Sequence, residues 1–382
     1  MAAETVKTKG ARRIWRWLVA GGVVVAAVVA VILIRQAMRP GPDAPNFVLR
    51  DQQGRLTSLA QFRGKVVVLT FIDPDCVQIC PLTTQSMLRA VSMLSPQAAA
   101  QVQLLGINVN AAQNSVADVE HYSEIHGLSG NWRFLTGTPD QLARVWKAYD
   151  IHVAVVNGDI QHEAVMLVID RDGYERYLEA TPMSYGAVGD QAETLATAVA
   201  KLLPGHPAIA DAGAGVGGAA SQPPPGPPPG PNDTLHLANL AAGGEPVLLG
   251  GPHPHLVLFF ASWLAPGPEL GEKLAGLDSY AALARRHGWP SPVAADVLTT
   301  EPSPEAARRQ LAGLAAKLQT PIVADDSGNL ADDYHVGDLP WYVLTGANGD
   351  IVWRHDGWLD AAELNREVTA AMAARTSSGT HP

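Results

Sequence analysis

Cysteine is the scarcest informative residue in this 382-residue chain: there are two, Cys76 and Cys80. Two thiols exclude a multi-bridge disulfide framework and a four-cysteine zinc site. Aromatic residues make up 6% and charged residues 17%, both low. With 47% hydrophobic residues, that low charge excludes a mostly disordered chain. Basic residues are also in deficit, and the net charge of −10 argues against a nucleic-acid backbone as the main partner. Glycine (36) and proline (29) are in excess, which predicts a linker. At ~100–200 residues per domain, the length allows two or three domains.

One stretch lacks charge altogether. Residues 17–34, WLVAGGVVVAAVVAVILI, reach about 27 Å as a helix, close to the ~30 Å hydrocarbon core of a bilayer. Lys7, Lys9, Arg12, Arg13 and Arg16 precede this run, while only Arg35 and Arg39 follow closely. The positive-inside rule then predicts a cytoplasmic N-terminus (1–16), a transmembrane signal anchor (17–34) and an extracytoplasmic remainder. The run exceeds the roughly 7–15 residues of a cleaved signal core and lacks an A-x-A site, so the anchor is read as uncleaved. The Ala-, Gly- and Pro-rich composition suggests a GC-rich bacterial genome, and hence an inner (cell) membrane with single-pass topology and periplasmic domains. Charge follows the same division: residues 1–44 carry a net +5, 45–203 a net −5 and 233–375 a net −9.

Residues 204–232, PGHPAIADAGAGVGGAASQPPPGPPPGPN, have no hydrophobic periodicity and read as a flexible, then polyproline-like, linker. Before it, buried strands at 65–71 and 102–109 alternate with helices at 82–94, 115–126 and 139–149. A hairpin of 164–169 and 174–179 follows, turning at Asp172-Gly173, then a helix at 188–203. After the linker the order recurs: strand 256–260, helix 269–287, strand 293–298, helix 304–318, a hairpin of 341–344 and 351–355 around Asn348-Gly349, and helix 361–374. The chain is therefore read as α/β, with two domains at 45–203 and 233–375, each a central mixed sheet flanked by helices, and a tail at 376–382.

Both cysteines lie in TFIDPDCVQICP, between the first buried strand and a helix. Carboxyl ends of strands are where open α/β sheets place ligands, and a helix N-terminus stabilises thiolates. A disulfide enclosing three residues removes little unfolded-state entropy, so a mere staple is the weaker reading. Thiol exchange and metal binding remain. Two thiolates suit Cu(I), and an imidazole can complete a three-coordinate, transferable site. The histidines on offer are His121 and His126, on or near a predicted surface helix, His152, and His162 in the loop before the hairpin.

Residues 45–200 resemble the Sco/SenC family of membrane-anchored, thioredoxin-fold copper proteins. The matching features are the anchor, PNFVLRDQQGRLTSLAQFRGKVVVLTF, the C-x-x-x-C-P of Cys76 to Pro81, FLTGTPDQLARVWKAYDI, and the His162 segment ahead of VMLVIDRDG. The resemblance implies Cys76, Cys80 and His162 as ligands of copper, as Cu(I) and also Cu(II). Its implied role is delivery to the binuclear copper centre of a cytochrome c oxidase subunit, sometimes with thiol reduction. Another periplasmic copper chaperone or a thiol reductase would then be a further partner. If the pair is redox-active, Cys76 and Cys80 are also the catalytic residues, of a thiol–disulfide oxidoreductase. Two departures stand out: Asp73 and Asp75 in a longer stretch before Cys76, and no acidic residue in the Val77-Gln78-Ile79 spacer.

The second domain resembles a degenerate thioredoxin/TlpA-like domain. In LVLFFASWLAPG, Leu264 and Gly267 occupy the cysteine positions while Trp263 and Pro266 remain, and Pro340 matches that family's cis-proline. Without thiols it cannot exchange disulfides. The resemblance implies a groove beside the cis-proline loop that could dock partners, making the chain alternatively a redox-sensing or scaffold protein.

Overall fold

The computed structural model describes residues 41–210, 234–265, 267–346 and 349–378, with side chains to 374. The expected anchor, most of the linker, Pro266, Asn348 and the end of the tail lie outside them. No helix among the described residues is long and apolar enough to cross a membrane.

The first lobe opens with a short antiparallel pair, β1 (Val48–Arg50) and β2 (Leu56–Ser58). Strand β3 (Val66–Ile72) is VVVLTFI, with every residue buried, as expected for a central strand covered on both faces. Helix α1 (Ile79–Ser92) follows, then one turn, α2 (Pro96–Ala99), and β4 (Val102–Asn108), again buried throughout. Helix α3 (Val116–Ile125) starts in a capping box between Ser115 and Asp118, and leads to β5 (Trp132–Leu135). Thr138 and Gln141 cap α4 (Pro139–Ala148) in the same way. A small hairpin, β6 (Ala154–Val156) and β7 (Asp159–Gln161), precedes β8 (Val165–Ile169), β9 (Glu175–Ala180) and α5 (Val188–Leu202). The main sheet has the order β5-β4-β3-β8-β9, with β3, β4 and β5 parallel and β8 and β9 antiparallel to their neighbours.

The second lobe begins with a pair, β10 (Thr234–Leu237) and β11 (Val247–Gly250). Then come β12 (His255–Phe260), α6 (Pro268–His287), β13 (Ser291–Val297), α7 (Pro304–Ala315), β14 (Ile322–Asp325), α8 (Asn329–Asp333), β15 (Trp341–Thr345), β16 (Ile351–Asp356) and α9 (Ala361–Ser378). Their order, β14-β13-β12-β15-β16, repeats the first sheet strand for strand and direction for direction. The Leu339–Pro340 peptide is cis.

The lobes share a core. Leu82, Tyr185 and Val188 of the first lobe cluster with Trp263, Leu330, Tyr334 and Leu339 of the second. Polar contacts line its edge. Asp332 accepts from Ser184 Oγ at 2.7 Å and from the Tyr185 and Gly186 amides at 2.9 and 3.1 Å. Arg89 donates to the Thr299 carbonyl at 3.2 Å. Gly328, at φ +77°, lies so close to Tyr185 that a Cβ would meet its carbonyl carbon at 2.4 Å. The side of the second lobe expected to present a docking groove is therefore occupied, around Leu339 and Trp263, by the first lobe. His126, expected near a solvated helix face, is likewise buried at 1% exposure, because Trp263 covers it with ring centroids 4.5 Å apart.

Candidate metal centre

The buried run of β3 ends at Ile72, and the next six residues turn the chain into α1 at the carboxyl edge of the sheet. Asp73 organises this turn. Its side chain accepts from the Asp75 amide at 3.1 Å and from Asn110 Nδ2, beyond β4, at 2.9 Å, while its carbonyl accepts from the Cys76 amide. The turn is thus tied to its neighbouring strand end before any metal is considered.

Cys76 is half-buried, Cys80 is buried, and both are free thiols. They differ sharply in acidity. The Cys80 thiol donates to the Cys76 sulfur, and amides of the first helical turn (Gln78, Cys80) add to it, holding Cys76 below the ordinary thiol range despite burial. The same contact, with burial, pushes Cys80 well above that range. The sequence could not rank the two sulfurs. The structure makes Cys76 the more acidic and more accessible, and Cys80 the proton-bearing partner behind it.

His162 reaches this end of the sheet through strand register. Thr70 pairs with Met166 in the antiparallel β3–β8 ladder, and Thr70 Oγ donates to the Val165 carbonyl at 2.8 Å. His162 lies four residues before Met166, near enough to the Asp73 carboxylate at the end of β3 for that charge to act on it. His162 Nδ1 lies 3.0 Å from the Glu163 carbonyl; because a carbonyl only accepts, Nδ1 carries the proton and Nε2 keeps its lone pair. Burial lowers its pKa, which favours the neutral, ligating form. Glu163 in turn accepts from the His152 amide at 2.7 Å and ring at 3.0 Å, fixing the segment. His152 is thereby a support for this segment, and His121 is exposed.

The two sulfurs are brought together; His162 is not gathered with them. Among the described residues no three His, Cys, Asp or Glu side chains form a preformed metal cage. The arrangement can hold a soft cation on two sulfurs, or pass electrons through a dithiol, and has a neutral imidazole on the adjoining segment.

Sequence reasoning missed several contributors. Asn110 could have been found, because it ends the second buried strand at the same sheet edge. Tyr122, fully buried and acted on electrostatically by both cysteines, gave no local signal. Asp75, singled out in the sequence, lies on the exposed side of the turn, and partial desolvation with the Asp73 and Asp118 charges raises its pKa.

The SCO1/SenC family model matches residues 36–201. The mitochondrial SCO2 homolog of Bos taurus is 27% identical over 135 residues, which are 34% of this chain and half of that protein. A Stutzerimonas stutzeri protein named for copper binding is 27% identical over 136 residues, 34% of this chain and 65% of that one. Among solved structures, Bradyrhizobium japonicum ScoI with copper bound is 22% identical, covering 42% of this chain and all of its own, with a TM-score of 0.36. Yeast Sco1 is 22% identical, covering 36% and 87%, with a TM-score of 0.33. The chain thus spans half the length of its bovine relative, and every one of these matches covers less than half of the chain. Residues 36–201, which carry both cysteines and His162, are the part of the chain that is similar to the SCO1/SenC family.

Proposed function

We propose that this chain is a membrane-anchored, extracytoplasmic copper-binding chaperone that takes copper as its cargo and delivers it to the binuclear copper centre of cytochrome c oxidase. The observation that carries the reading is the Cys76–Cys80 pair at a helix start, one sulfur acidic and accessible. Support comes from the SCO1/SenC family-model match over residues 36–201 and from a relative named for copper binding. Cys76 and Cys80 supply two soft sulfur donors, and His162 Nε2 supplies the third. His162 Nε2 would have to approach the two sulfurs for all three donors to hold one ion. Residues 17–34 hold the lobes outside the cell membrane, within reach of a membrane-bound oxidase subunit.

The test is anaerobic Cu(I) titration of the full chain followed by X-ray absorption. One copper with two sulfur neighbours and one nitrogen neighbour is expected. Tight one-to-one binding that survives both Cys76→Ser and His162→Ala would overturn it.

A second reading is favoured by the unequal acidity of the two thiols. In thiol–disulfide exchange, the Cys76 thiolate attacks a partner disulfide and releases one partner thiolate. Cys80 then attacks the mixed disulfide at Cys76, its proton goes to the departing sulfur, and two electrons have passed to the partner. A separate thiol reductase must restore the Cys76–Cys80 dithiol. Oxidase assembly that tolerates His162→Ala but not Cys76→Ser would select this role.

A further inference from the structure

The residue directly between the two cysteines' flanking positions behaves unusually for its place. Gln78 is the N-cap of α1, with φ −94° and ψ −99°, yet its side chain makes no capping bond. Instead its Nε2 donates to Asp338 Oδ2 at 2.6 Å, across 260 residues of chain. Its neighbour Val77 packs against the apolar cluster shared by the lobes, alongside Tyr185, Trp263 and Leu339. Two of the three spacer residues of Cys-Val-Gln-Ile-Cys are therefore engaged where the lobes meet, Gln78 by a hydrogen bond to the second lobe and Val77 by packing on the shared cluster.

Asp338 is well placed to anchor. It is half-buried, it precedes the cis Leu339–Pro340 peptide, and Leu339 is 1% exposed within the shared core. Its backbone is thus held by packing while its carboxylate faces the first lobe. Asp159, on the hairpin that leads into His162, is near enough for its charge to act on Asp338. Asp338 is therefore bonded to the cysteine turn and within electrostatic range of the hairpin that precedes His162.

We infer that Asp338 is a positioning residue for the cysteine turn, acting through Gln78, so that the second lobe, which lacks thiols, sets the geometry of the pair in the first. The inference deepens the proposed function and rests on it where copper is concerned, but the dithiol couple reports on it independently. With the tether in place the spacer is held in the dithiol conformation seen here. Without it that conformation loses one hydrogen bond to a charged acceptor, and the pair loses preorganisation for both metal and thiolate chemistry.

The test uses the full chain with four variants: Asp338→Ala, Gln78→Ala, the double variant and Asp338→Asn. The readouts are the Cys76–Cys80 equilibrium against glutathione and Cu(I) competition with bathocuproine disulfonate. Each alanine variant is expected to shift the dithiol equilibrium toward disulfide by roughly three- to tenfold, up to about 30 mV more reducing, and to weaken Cu(I) binding by a similar factor. The double variant should shift no further than either single one, because both remove the same contact. Asp338→Asn keeps a carbonyl acceptor for Gln78 and should stay within about twofold of the parent. Unchanged readouts in either alanine variant, additive effects in the double variant, or failure of Asp338→Asn to rescue would overturn the inference. If the parent chain binds no Cu(I) while the dithiol equilibrium shifts as expected, the copper reading fails and the positioning role stands. Copper binding with no shift in either readout has the opposite meaning.

Discussion

The two lobes of this chain carry the same five-stranded sheet and part most clearly at the turn after its central strand. In the first, β3 runs into Asp73–Gln78 and a helix whose opening amides face the Cys76 sulfur. In the second, β12 runs into a short 3-10 turn, Ser262–Leu264, and then Gly267 at φ +60°, before α6. A cysteine at 267 would have to adopt that left-handed conformation, so this turn is reshaped as well as stripped of thiols. Its polar groups point inward: Ser262 donates its amide and, at 2.8 Å, its hydroxyl to Glu301, and Trp263 Nε1 lies 3.4 Å from Thr300 Oγ. A buried carboxyl, Asp296, faces Glu301 from β13 with no other partner among the described residues. Burial, then the Glu301 charge, push Asp296 well up, favouring the protonated form that could donate to Glu301. One turn leaves a reactive sulfur, Cys76, partly accessible at the sheet edge with Cys80 buried behind it, and the other satisfies its polar groups internally. A shared fold constrains where the site sits without constraining what it does.

The comparison can be broken hardest at the sulfurs. Cys76→Ser should reduce Cu(I) affinity by roughly a thousandfold, about 4 kcal/mol, because a soft ligand is lost. Leu264→Ala, at the equivalent place in the second lobe, should leave affinity within about threefold; chelator competition measures both. Next in size is the join between lobes. Trp263→Ala removes a ring packed on His126 and on the shared core, and should cost about 3–5 kcal/mol in urea unfolding. It should also split one cooperative transition into two, since the deleted contacts couple the lobes.

Acid should separate the lobes' contributions. Burial pushes His126 down to about 3, so the folded chain holds it neutral, whereas the unfolded chain protonates it near pH 6.5. A depressed folded pKa gives stability that is present above pH 6.5 and lost as pH falls toward 3, at about 1.4 kcal/mol per unit. His126→Phe should abolish that slope in urea midpoints taken at pH 7, 5.5 and 4.5. The smallest effect belongs to the second lobe and has the opposite sign. Asp296 and Asp325 both have raised pKa values, chiefly from burial, with Asp325 at about 6. Their stabilising contribution is complete at low pH and is lost as pH rises through those values. Asp296→Asn keeps a donor for Glu301 and cannot ionise. Its benefit over the parent should be absent at about pH 3.5, where the unfolded carboxyl is protonated as well, and should grow to about 1 kcal/mol or more by pH 8, without affecting copper binding.

Much of the first lobe was legible from residues alone. The strongly apolar stretches at 65–71 and 102–109 read as covered strands, Asp172-Gly173 turns between β8 and β9, and the helices read from 115 and 139 start there, in capping boxes at Ser115 and Thr138. The cysteine turn followed from its place between strand and helix. The β6–β7 hairpin carried a signal that was overlooked: Asn157-Gly158, both at positive φ, is a tight-turn pair, but its strands are three residues long and exposed. Strands β5 and β14, four residues each, were too short to show periodicity. The larger gap was the contact between lobes. Nothing local to His126 predicts that Trp263 buries it, and nothing local to Gln78 points to Asp338. Such pairings are fixed by how two finished sheets meet, and periodicity within a window of residues does not encode them.

Gly328 turns that meeting into a rule about exchange. Its missing side chain is required by the backbone at Tyr185, so the residue allowed at a position in one half of the protein is dictated by the main chain of the other. A chimera that grafts the copper-site half of a free-standing relative onto this C-terminal half would therefore need a compatible 184–186 corner as well as matching cysteines. The two halves have to be inherited, or engineered, as a pair.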